Sequence, residues 1–378
     1  MRRVFVLINN TGVGGTERRF GRLFARIADA DPESVFIINA GLWKALVEAR
    51  VVSGREARVR QLAEPLQRLA ERAGLGSGTL GFWLRKLDYL LFATLLLARY
   101  SLAPRCLFHL VLGGAYVALP LMLLRPDHRT VVSVVSADLA LTVGAPWALP
   151  LYRHALSRCA VVDALSEGAH ADLTQRGIAG EKILVSPGSL LDVKRFQPAP
   201  EKYPWVVFAG RLVEEKNPLL FVEAIPAILG AVPAARVFLL GDGPLRPQIE
   251  QALDRSGIRG AVETGFRPDL APVFAQTRVF VSLQREDNYP SQSLLEAMAC
   301  GAVPVATDVG LTWKLVDELT GIRVKPDPGD IAAAVISLLR DAERCDRLGR
   351  SARQRVLERH SEERYSMYLE TLYARVEG

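Results

Sequence analysis

Two cations stand directly after an apolar run in the second half of the chain. Arg211 follows residues 208–210, and Lys216 comes five residues later, just before a helix predicted to begin at Pro218. The guanidinium of arginine presents a planar fork of donors that matches phosphate oxygens, and parallel sheets bind ligands beyond the carboxyl ends of their strands. The pair therefore predicts a site for a phosphate-bearing ligand. The alternative is a solvated loop held by salt bridges.

Glycine turns follow several of the other predicted strands. The first strand leads into three glycines at 12–15, but Glu17 stands where the dinucleotide fingerprint G-x-G-x-x-G requires glycine. A strand, a glycine turn and a helix N-terminus still present backbone N–H groups to an anion. Gly241 and the turn at 263–267 end two later strands in the same way. Several such turns at one edge of a sheet indicate a ligand site, whereas a single one is explained by a tight turn.

Short apolar runs alternate with helical patterns on both sides of a proline-rich segment at 198–204. Runs of this kind suit strands that are buried on both faces of a parallel sheet. Two such series predict an α/β fold of two facing Rossmann-like, doubly wound domains at 1–200 and 201–378, with a ligand cleft between them. In this arrangement the final helix can pack back on the first domain. The predicted strands cover residues 4–8, 35–38, 131–135, 160–164, 205–209, 237–240, 261–263, 279–281 and 303–306.

The segment 284–305 carries the most specific pattern of the chain. Its part 294–305 reads LLEAMACGAVPV, and together with the two cations and the glycine turns it resembles the C-terminal half of the family 4 retaining glycosyltransferases of the GT-B fold. Residues 14–17 are similar to the N-terminal glycine loop of that family, and residues 183–198 to the segment that closes its first domain. The resemblance covers nearly the whole chain. It implies transfer of a sugar from a nucleotide-sugar donor, with UDP as the expected nucleotide.

The resemblance also implies roles for single residues. Arg211 and Lys216 would hold the diphosphate, and Glu296 would bind the ribose hydroxyls as the second acid of the family's E-x7-E motif. The first acid is replaced by Asn288, which can hydrogen-bond a sugar hydroxyl but carries no charge. These two cations and Asn288 are the implied catalytic residues. The implied donor-binding residues are Gly15, Gly210, Gly241, Phe266, Arg267, Tyr289, Pro290, Ser291, Gln292, Ser293, Leu294 and Glu296.

The acceptor side departs from the family's pattern. Many relatives place a histidine after the strand that corresponds to 131–135, whereas Ser136 and Asp138 stand there in this chain. His109 matches a different histidine of the family and is predicted to be structural. The acceptor-side candidates are Glu17, His109, Ser136 and Asp138.

No metal ion or other cofactor is expected. The five histidines and four cysteines show no metal-ligand spacing, and the scattered cysteines favour a reducing compartment. The resemblance implies that cations and helix N-termini neutralise the leaving diphosphate, whose oxygen deprotonates the acceptor hydroxyl. The alternatives are a sugar-nucleotide epimerase, a phosphorolytic enzyme of the same fold, and a noncatalytic nucleotide-sugar-binding partner subunit, which Asn288 favours. No motif supports nucleic-acid binding.

Charge is divided unevenly along the chain. Residues 1–200 contain 25 Lys and Arg against 16 Asp and Glu, a net charge of +9, whereas residues 201–378 contain 22 against 25, a net charge of −3. The segment 83–100 mixes basic with apolar residues, as in helices that lie on an anionic membrane. The apolar segment 106–124 has the length of a membrane span, but its histidine, glycine pair and proline predict a buried strand, a loop and a helix.

Charge pattern and resemblance together predict where the protein acts. We expect a cytoplasmic protein that is peripheral on the inner face of the membrane and binds that anionic surface through its basic N-terminal domain. The expected acceptor is a glycan or a lipid-linked sugar of envelope polysaccharide assembly, as in lipopolysaccharide.

Overall fold

The protein forms two compact units, each built around its own parallel sheet. The computed structural model describes residues 1–8, 13–74, 105–112, 128–134, 148–187, 191–287 and 289–378, together with ten residues between 80 and 99. Unit 1 comprises Met1–Ser186 and Met367–Gly378, and unit 2 comprises Pro187–Ser366. The chain thus passes from unit 1 to unit 2 after Ser186, whereas the sequence pattern places the change at residue 200.

Unit 1 contains a seven-stranded sheet in the part of the chain that the structure describes. Its strands are β1 (Arg2–Ile8), β2 (Val35–Asn39), β3 (Val59–Leu62), β4 (Cys106–Leu112), β5 (Arg129–Val134), β6 (Val161–Ala164) and β7 (Ile183–Val185). Its described helices are α1 (Gly15–Ala30), α2 (Ala40–Glu48), α3 (Pro65–Arg72), α4 (Ala148–Arg158) and α5 (Glu167–Gln175). The strands are parallel in the order β3-β2-β1-β4-β5-β6-β7, so the chain reverses its direction of travel across the sheet between β1 and β4.

Helix α1 shows how the sequence builds the core of unit 1. Phe20, Leu23 and Phe24 recur at helical spacing and are fully buried, as is every residue of β1 from position 4 to position 8. The carboxylate of Glu17 accepts a hydrogen bond from the backbone N–H of Gly14 (3.0 Å). An acid in the first turn satisfies one of the open donors of the helix start and complements its positive dipole end.

The described residues of unit 2 form a six-stranded sheet. Its strands are β8 (Tyr203–Ala209), β9 (Arg236–Leu240), β10 (Val262–Gly265), β11 (Thr277–Ser282), β12 (Val303–Thr307) and β13 (Ile322–Val324). The helices that follow β7 in the chain are α6 (Pro218–Ala231), α7 (Arg246–Arg255), α8 (Ala271–Gln276), α9 (Gln292–Ala299), α10 (Pro328–Arg340), α11 (Ala342–His360) and α12 (Glu362–Glu377). The parallel order β10-β9-β8-β11-β12-β13 is that of a Rossmann sheet, with its switch point between β8 and β11.

The two predicted series of strands and helices are confirmed as two doubly wound α/β sheets. Each strand predicted from a continuous apolar run is present, within a few residues of its predicted ends. Three strands were not predicted from the sequence, namely β3, β7 and β13, and each lies at an edge of its sheet. These three strands are only three or four residues long and partly exposed, so they lack the longer apolar run that marks a strand buried on both faces.

The apolar segment 106–124 begins with strand β4, in agreement with the predicted buried strand. Residues 113–124 lie outside the described part of the chain. Among the helices that the structure describes, none combines the length and the apolar character needed to cross a bilayer.

The end of the last helix belongs to unit 1. The guanidinium of Arg3, on β1, donates to the carboxylate of Glu370 (3.0 Å) and to that of Glu377 (3.2 Å), both on α12. The same guanidinium lies over the ring of Tyr373, 4.8 Å from its centroid. These contacts hold the last turns of α12 against the first strand of the chain.

Candidate functional site

The loops at the carboxyl edge of the unit 2 sheet are linked by backbone hydrogen bonds. The N–H of Gly210 donates to the carbonyl of Leu240 (3.0 Å), and the N–H of Gly241 donates to the carbonyl of Gly265 (2.8 Å). The three glycine turns that follow β8, β9 and β10 therefore stand side by side. This edge is where an open parallel sheet binds its ligand.

Gly241 occupies a position that no other residue fits. A Cβ atom there would lie 1.8 Å from the carbonyl oxygen of Gly210, and the backbone φ is +152°. Gly243 is restricted in the same way, since its Cβ would lie 2.5 Å from the carbonyl oxygen of Leu212. The two glycines let the loop after β9 touch the loop after β8, and so fix the backbone that leads into Arg211.

Lys216 bridges the switch point of the sheet. Its Nζ donates to the side-chain oxygen of Gln284, 3.0 Å away, which lies just beyond β11. Burial and, to a lesser extent, the charge of Arg211 lower the pKa of Lys216 to about 8. The backbone carbonyl of Gln284 in turn accepts from the hydroxyl of Thr307 (2.7 Å), at the end of β12. Two adjacent cations thus lie at the switch point, with the exposed guanidinium of Arg211 open to a ligand.

Gln284 is a candidate site residue that the sequence motifs do not identify. The signal was available, because Gln284 is a polar residue at the carboxyl end of a buried strand, the same pattern that indicated Arg211. Its buried side chain is what holds the ammonium of Lys216 in position.

The segment between β11 and α9 is anchored at both ends. The N–H of Arg285 donates to the carbonyl of Glu215 (3.0 Å). This bond holds the segment against the loop after β8 that contains Lys216. The carboxylate of Asp287 accepts from the N–H of Tyr289 (3.3 Å) and from that of Leu311 (3.1 Å). Asn288, the implied third catalytic residue, lies outside the described residues, between these two anchored positions.

Helix α9 points its N-terminus toward this same carboxyl edge, because it follows β11 directly. Ser291 is buried at the N-cap, and Leu294 is buried in the core of unit 2. The open N–H groups of the first turn, from Gln292 onward, form a site for an anion. The side-chain amide of Gln292 donates to the carboxylate of Glu296 (3.2 Å) on the next turn. Tyr289, Pro290 and Ser293 are partly buried around this turn.

Phe266 presents an apolar ring at the end of β10. It is 64% exposed, unlike the other phenylalanines of unit 2, which are buried. The neighbouring Arg267 pairs with Glu263 four residues earlier. An exposed aromatic face at a ligand edge suits stacking against a planar ring.

The unit 1 candidates lie at the start of α1 and within the sheet. Gly15 is the first residue of α1, and the carboxylate of Glu17 caps that helix. The acceptor-side candidates Ser136 and Asp138 lie outside the described residues.

His109 is a core residue rather than an acceptor-side one. It is fully buried, and burial lowers its pKa to about 3, so the ring is neutral. Phe20 and Phe24 pack edge-on against it. The fully buried ring is inaccessible to an acceptor, which makes its role structural, as its sequence context predicted.

A chain of buried hydrogen bonds explains why a histidine stands in this core. The carboxylate of Asp163 accepts from the hydroxyls of Ser133 (2.5 Å) and Tyr368 (2.6 Å). Because the proton of Ser133 points to Asp163, its oxygen accepts from Nε2 of His109 (2.7 Å). The hydroxyl of Tyr373 then donates to Nδ1 of His109 (2.6 Å). The chain joins β4, β5 and β6 to α12.

Metal-binding geometry is absent from the part of the chain that the structure describes. No group of three or more His, Cys, Asp or Glu side chains converges there in a way that could hold an ion.

Comparison with known proteins relates unit 2 to sugar-transferring enzymes. Residues 203–341 match the family model described as glycosyl transferases group 1. The chain is 25% identical over 168 residues to the phosphatidylinositol N-acetylglucosaminyltransferase gpi3 subunit of Schizosaccharomyces pombe, covering 43% of this chain and 36% of that protein. It is 32% identical over 213 residues to the 2-deoxystreptamine N-acetyl-D-glucosaminyltransferase of Streptomyces fradiae, covering 51% of this chain and 50% of that protein. The chain thus spans half or less of the length of these curated relatives.

The fold is shared over nearly the full length with a solved structure. HepE of Anabaena, in complex with UDP and glucose, superposes with a TM-score of 0.76 at 17% sequence identity, over 99% of this chain and 100% of that one. This likeness shows the GT-B fold in the two parallel sheets. The family model and the fold together support a glycosyltransferase.

Proposed function

We propose that this chain is a retaining glycosyltransferase of family 4 that moves a sugar from a UDP-sugar to a glycan or a lipid-linked acceptor. The observation that carries the proposal is the pair Arg211 and Lys216 at the switch point of the unit 2 sheet, beside the close approach of Gly210 and Gly241. The name of the Anabaena structure, which includes UDP, and that of the Schizosaccharomyces pombe relative, which includes phosphatidylinositol, agree with this donor and with a lipid-linked acceptor.

The proposed mechanism uses charges that the chain itself supplies. The bond from the sugar's anomeric carbon to the diphosphate oxygen breaks, and a bond to the acceptor oxygen forms on the same face. Arg211, Lys216 and the N-terminus of α9 bind the diphosphate as its negative charge grows. The proton of the acceptor hydroxyl passes to a leaving phosphate oxygen, so that the products are the glycosylated acceptor and UDP.

The donor affinity is expected to fall as the pH rises through about 8. In the free protein, burial lowers the pKa of Lys216 from 10.5 to about 8, so the side chain loses its charge above that value. Each further pH unit then weakens UDP binding by up to about tenfold, until the higher pKa of the UDP complex is reached. Calorimetric titration between pH 7 and pH 9.5 measures the effect. Lys216→Arg stays charged over this range and should give a flat profile; equal slopes in both proteins would contradict the assignment.

Glu296 is proposed to bind the ribose hydroxyls of the donor. Glu296→Gln keeps the shape of the side chain but removes its charge, so UDP affinity is expected to fall by about tenfold, since a hydrogen bond to a charged group contributes about 1.5–3 kcal/mol. Thermal stability should change little, because glutamine has the same shape and its side-chain oxygen can still accept the hydrogen bond that Gln292 donates. An unchanged affinity for UDP would leave Glu296 with only a structural role in α9.

A transfer assay in excess chelator tests the function and its metal independence together. Purified protein is first screened for thermal stabilisation by UDP-, GDP- and ADP-sugars, and the stabilising donor is then assayed with glycan and lipid-linked acceptors. We expect transfer with retention of the anomeric configuration and without added magnesium or manganese. Stabilisation without transfer would favour the noncatalytic partner subunit, and conversion of the donor without an acceptor would favour the epimerase.

The proposed location is the cytoplasmic face of the membrane, in the assembly of envelope polysaccharide such as lipopolysaccharide. The net charge of +9 on residues 1–200 supports this location, because the inner leaflet attracts cationic surfaces. A peripheral enzyme at that surface meets lipid-linked acceptors directly.

A further inference from the structure

Arg285 contacts the turn that carries Lys216. Its guanidinium lies 2.9 Å from the carboxylate of Glu214 and donates to the side-chain oxygen of Asn217 (3.4 Å). Lys216 stands between these two partners in the chain. The backbone N–H of Arg285 also donates to the carbonyl of Glu215 (3.0 Å). A single residue that follows β11 thus contacts the turn at three positions, on both sides of Lys216.

Two successive residues after β11 act on this turn together. Gln284 accepts a hydrogen bond from the ammonium of Lys216 (3.0 Å), and Arg285 contacts the neighbours of Lys216 in the chain. A lysine ammonium is a compact charge on a flexible four-carbon stem. Contacts to both the turn and the ammonium therefore decide where that charge lies.

The ion pair of Arg285 contributes little to the fold itself. The side chains of Arg285 and Glu214 are 52% and 56% exposed, and exposed pairs add little to the free energy of unfolding because water screens them. The pair lies instead at the carboxyl edge of the sheet, where the candidate ligand site is. This location favours a role in the site over a role in stability.

We propose that Arg285 is a positioning residue, which holds the turn so that the ammonium group of Lys216 is directed at the diphosphate of the donor. The inference rests on the proposed function and adds to it a residue that no sequence motif indicates. Without Arg285, the turn moves away from the end of β11 and the ammonium gains contact with water. UDP then loses a well-placed partner, and the amine of Lys216 becomes easier to protonate, because burial is what disfavours its charged form.

The charges around Lys216 separate positioning from a direct effect of charge. Burial is the main cause that lowers the pKa of Lys216 to about 8; Arg211 lowers it further, and Glu215 opposes this. If charge alone acted, loss of the cation Arg285 would raise this pKa and loss of the anion Glu214 would lower it. Loss of positioning raises the pKa in both cases, because both changes expose the amine.

The test compares Arg285→Gln, Glu214→Gln and Asn217→Gly in the full-length protein. Asn217→Gly changes no charge, and glycine readily adopts the backbone φ of +53° found there. The pH dependence of acetylation by acetic anhydride, followed by mass spectrometry, measures the pKa of Lys216. We expect this pKa to rise toward 10.5 in all three variants. Calorimetry at pH 7 should show UDP affinity about three- to tenfold lower, with an unchanged thermal melt, because the displaced amine keeps only part of its hydrogen bonding to phosphate.

Two controls accompany these variants. Arg323→Gln breaks another exposed ion pair of the same sheet, that of Arg323 with Asp308 (2.6 Å), and should change neither the pKa of Lys216 nor UDP affinity. Lys202 is an internal reference, since burial also lowers its pKa to about 8. Its ammonium donates to the carbonyls of Thr277 (2.8 Å), which begins β11, and Cys300 (2.7 Å). The pKa of Lys202 should be the same in every variant.

An unchanged pKa of Lys216 in Arg285→Gln and Asn217→Gly would overturn the proposal. So would shifts of opposite sign in Arg285→Gln and Glu214→Gln, which would show that charge alone acts. A lower melting temperature with full UDP affinity would make Arg285 a structural residue. Acetylation needs no ligand, so it decides whether Arg285 positions Lys216 even if the wild-type protein binds no UDP. That last result would count against the proposed function instead.

Discussion

Replacement of Lys216 by methionine is expected to weaken UDP binding by at least tenfold without lowering the thermal stability of the protein. The ammonium group donates charge-assisted hydrogen bonds to phosphate, each of which contributes about 1.5–3 kcal/mol. The pKa of about 8 in the folded protein lies below the ordinary 10.5, so the fold disfavours the charged form. Below pH 8 the charged amine therefore reduces the stability of the free protein, and a methionine of similar length removes that penalty.

Calorimetric titration with UDP and a thermal melt at pH 7 measure the two expected effects. The transfer activity of Arg211→Ala should also fall at least tenfold. The fold should survive, because the guanidinium is exposed and its loss disturbs little packing. Lys325→Met is the matched control, since Lys325 is exposed beyond β13 and should leave binding unchanged. If Lys216→Met bound UDP with full affinity, Lys216 would not be a ligand of the diphosphate. A large fall in melting temperature would make Lys216 a structural residue.

Gly241→Ala is expected to destabilise unit 2 and to abolish most of its UDP binding. The new methyl group would lie 1.8 Å from the carbonyl oxygen of Gly210, at a backbone φ of +152° that alanine rarely adopts. Strain of this kind reduces the free energy of unfolding by about 2 kcal/mol or more. Relief of the overlap must displace the backbone before Arg211, and a shift of about 1 Å at a binding group can weaken function a hundredfold.

Gly230→Ala provides the control for Gly241→Ala. Gly230 lies in helix α6, with no atom within 4 Å of an added Cβ. Alanine there should raise the free energy of unfolding by about 0.5–1 kcal/mol, because glycine is a poor helix former. Denaturant titration of both variants, with UDP titration of the folded protein, measures the difference. A Gly241→Ala protein with wild-type stability and affinity would show that the two loops need not touch.

Local sequence patterns were enough to predict the alternation of strands and helices and the loops that form the candidate site. Apolar runs such as 205–209 and 303–306 reveal strands buried on both faces, because such strands have no exposed side to interrupt the run. Arg211, Lys216 and Gly241 could be predicted because the carboxyl ends of parallel strands are the ligand edge in any sheet of this type. Edge strand β3 could not, since its two central residues, Arg60 and Gln61, are polar and exposed and leave no apolar run.

Contacts between residues far apart in the chain could not be predicted in this way. Lys216 and Gln284 are 68 positions apart, and their contact exists because β8 and β11 are neighbours in the sheet. The same holds for His109 and Tyr373, which β4 and α12 bring together across most of the chain. The pKa values of Lys216 and His109 likewise follow from burial, which depends on every element packed around them. Local patterns specify elements, whereas contacts between distant residues depend on the order in which those elements pack.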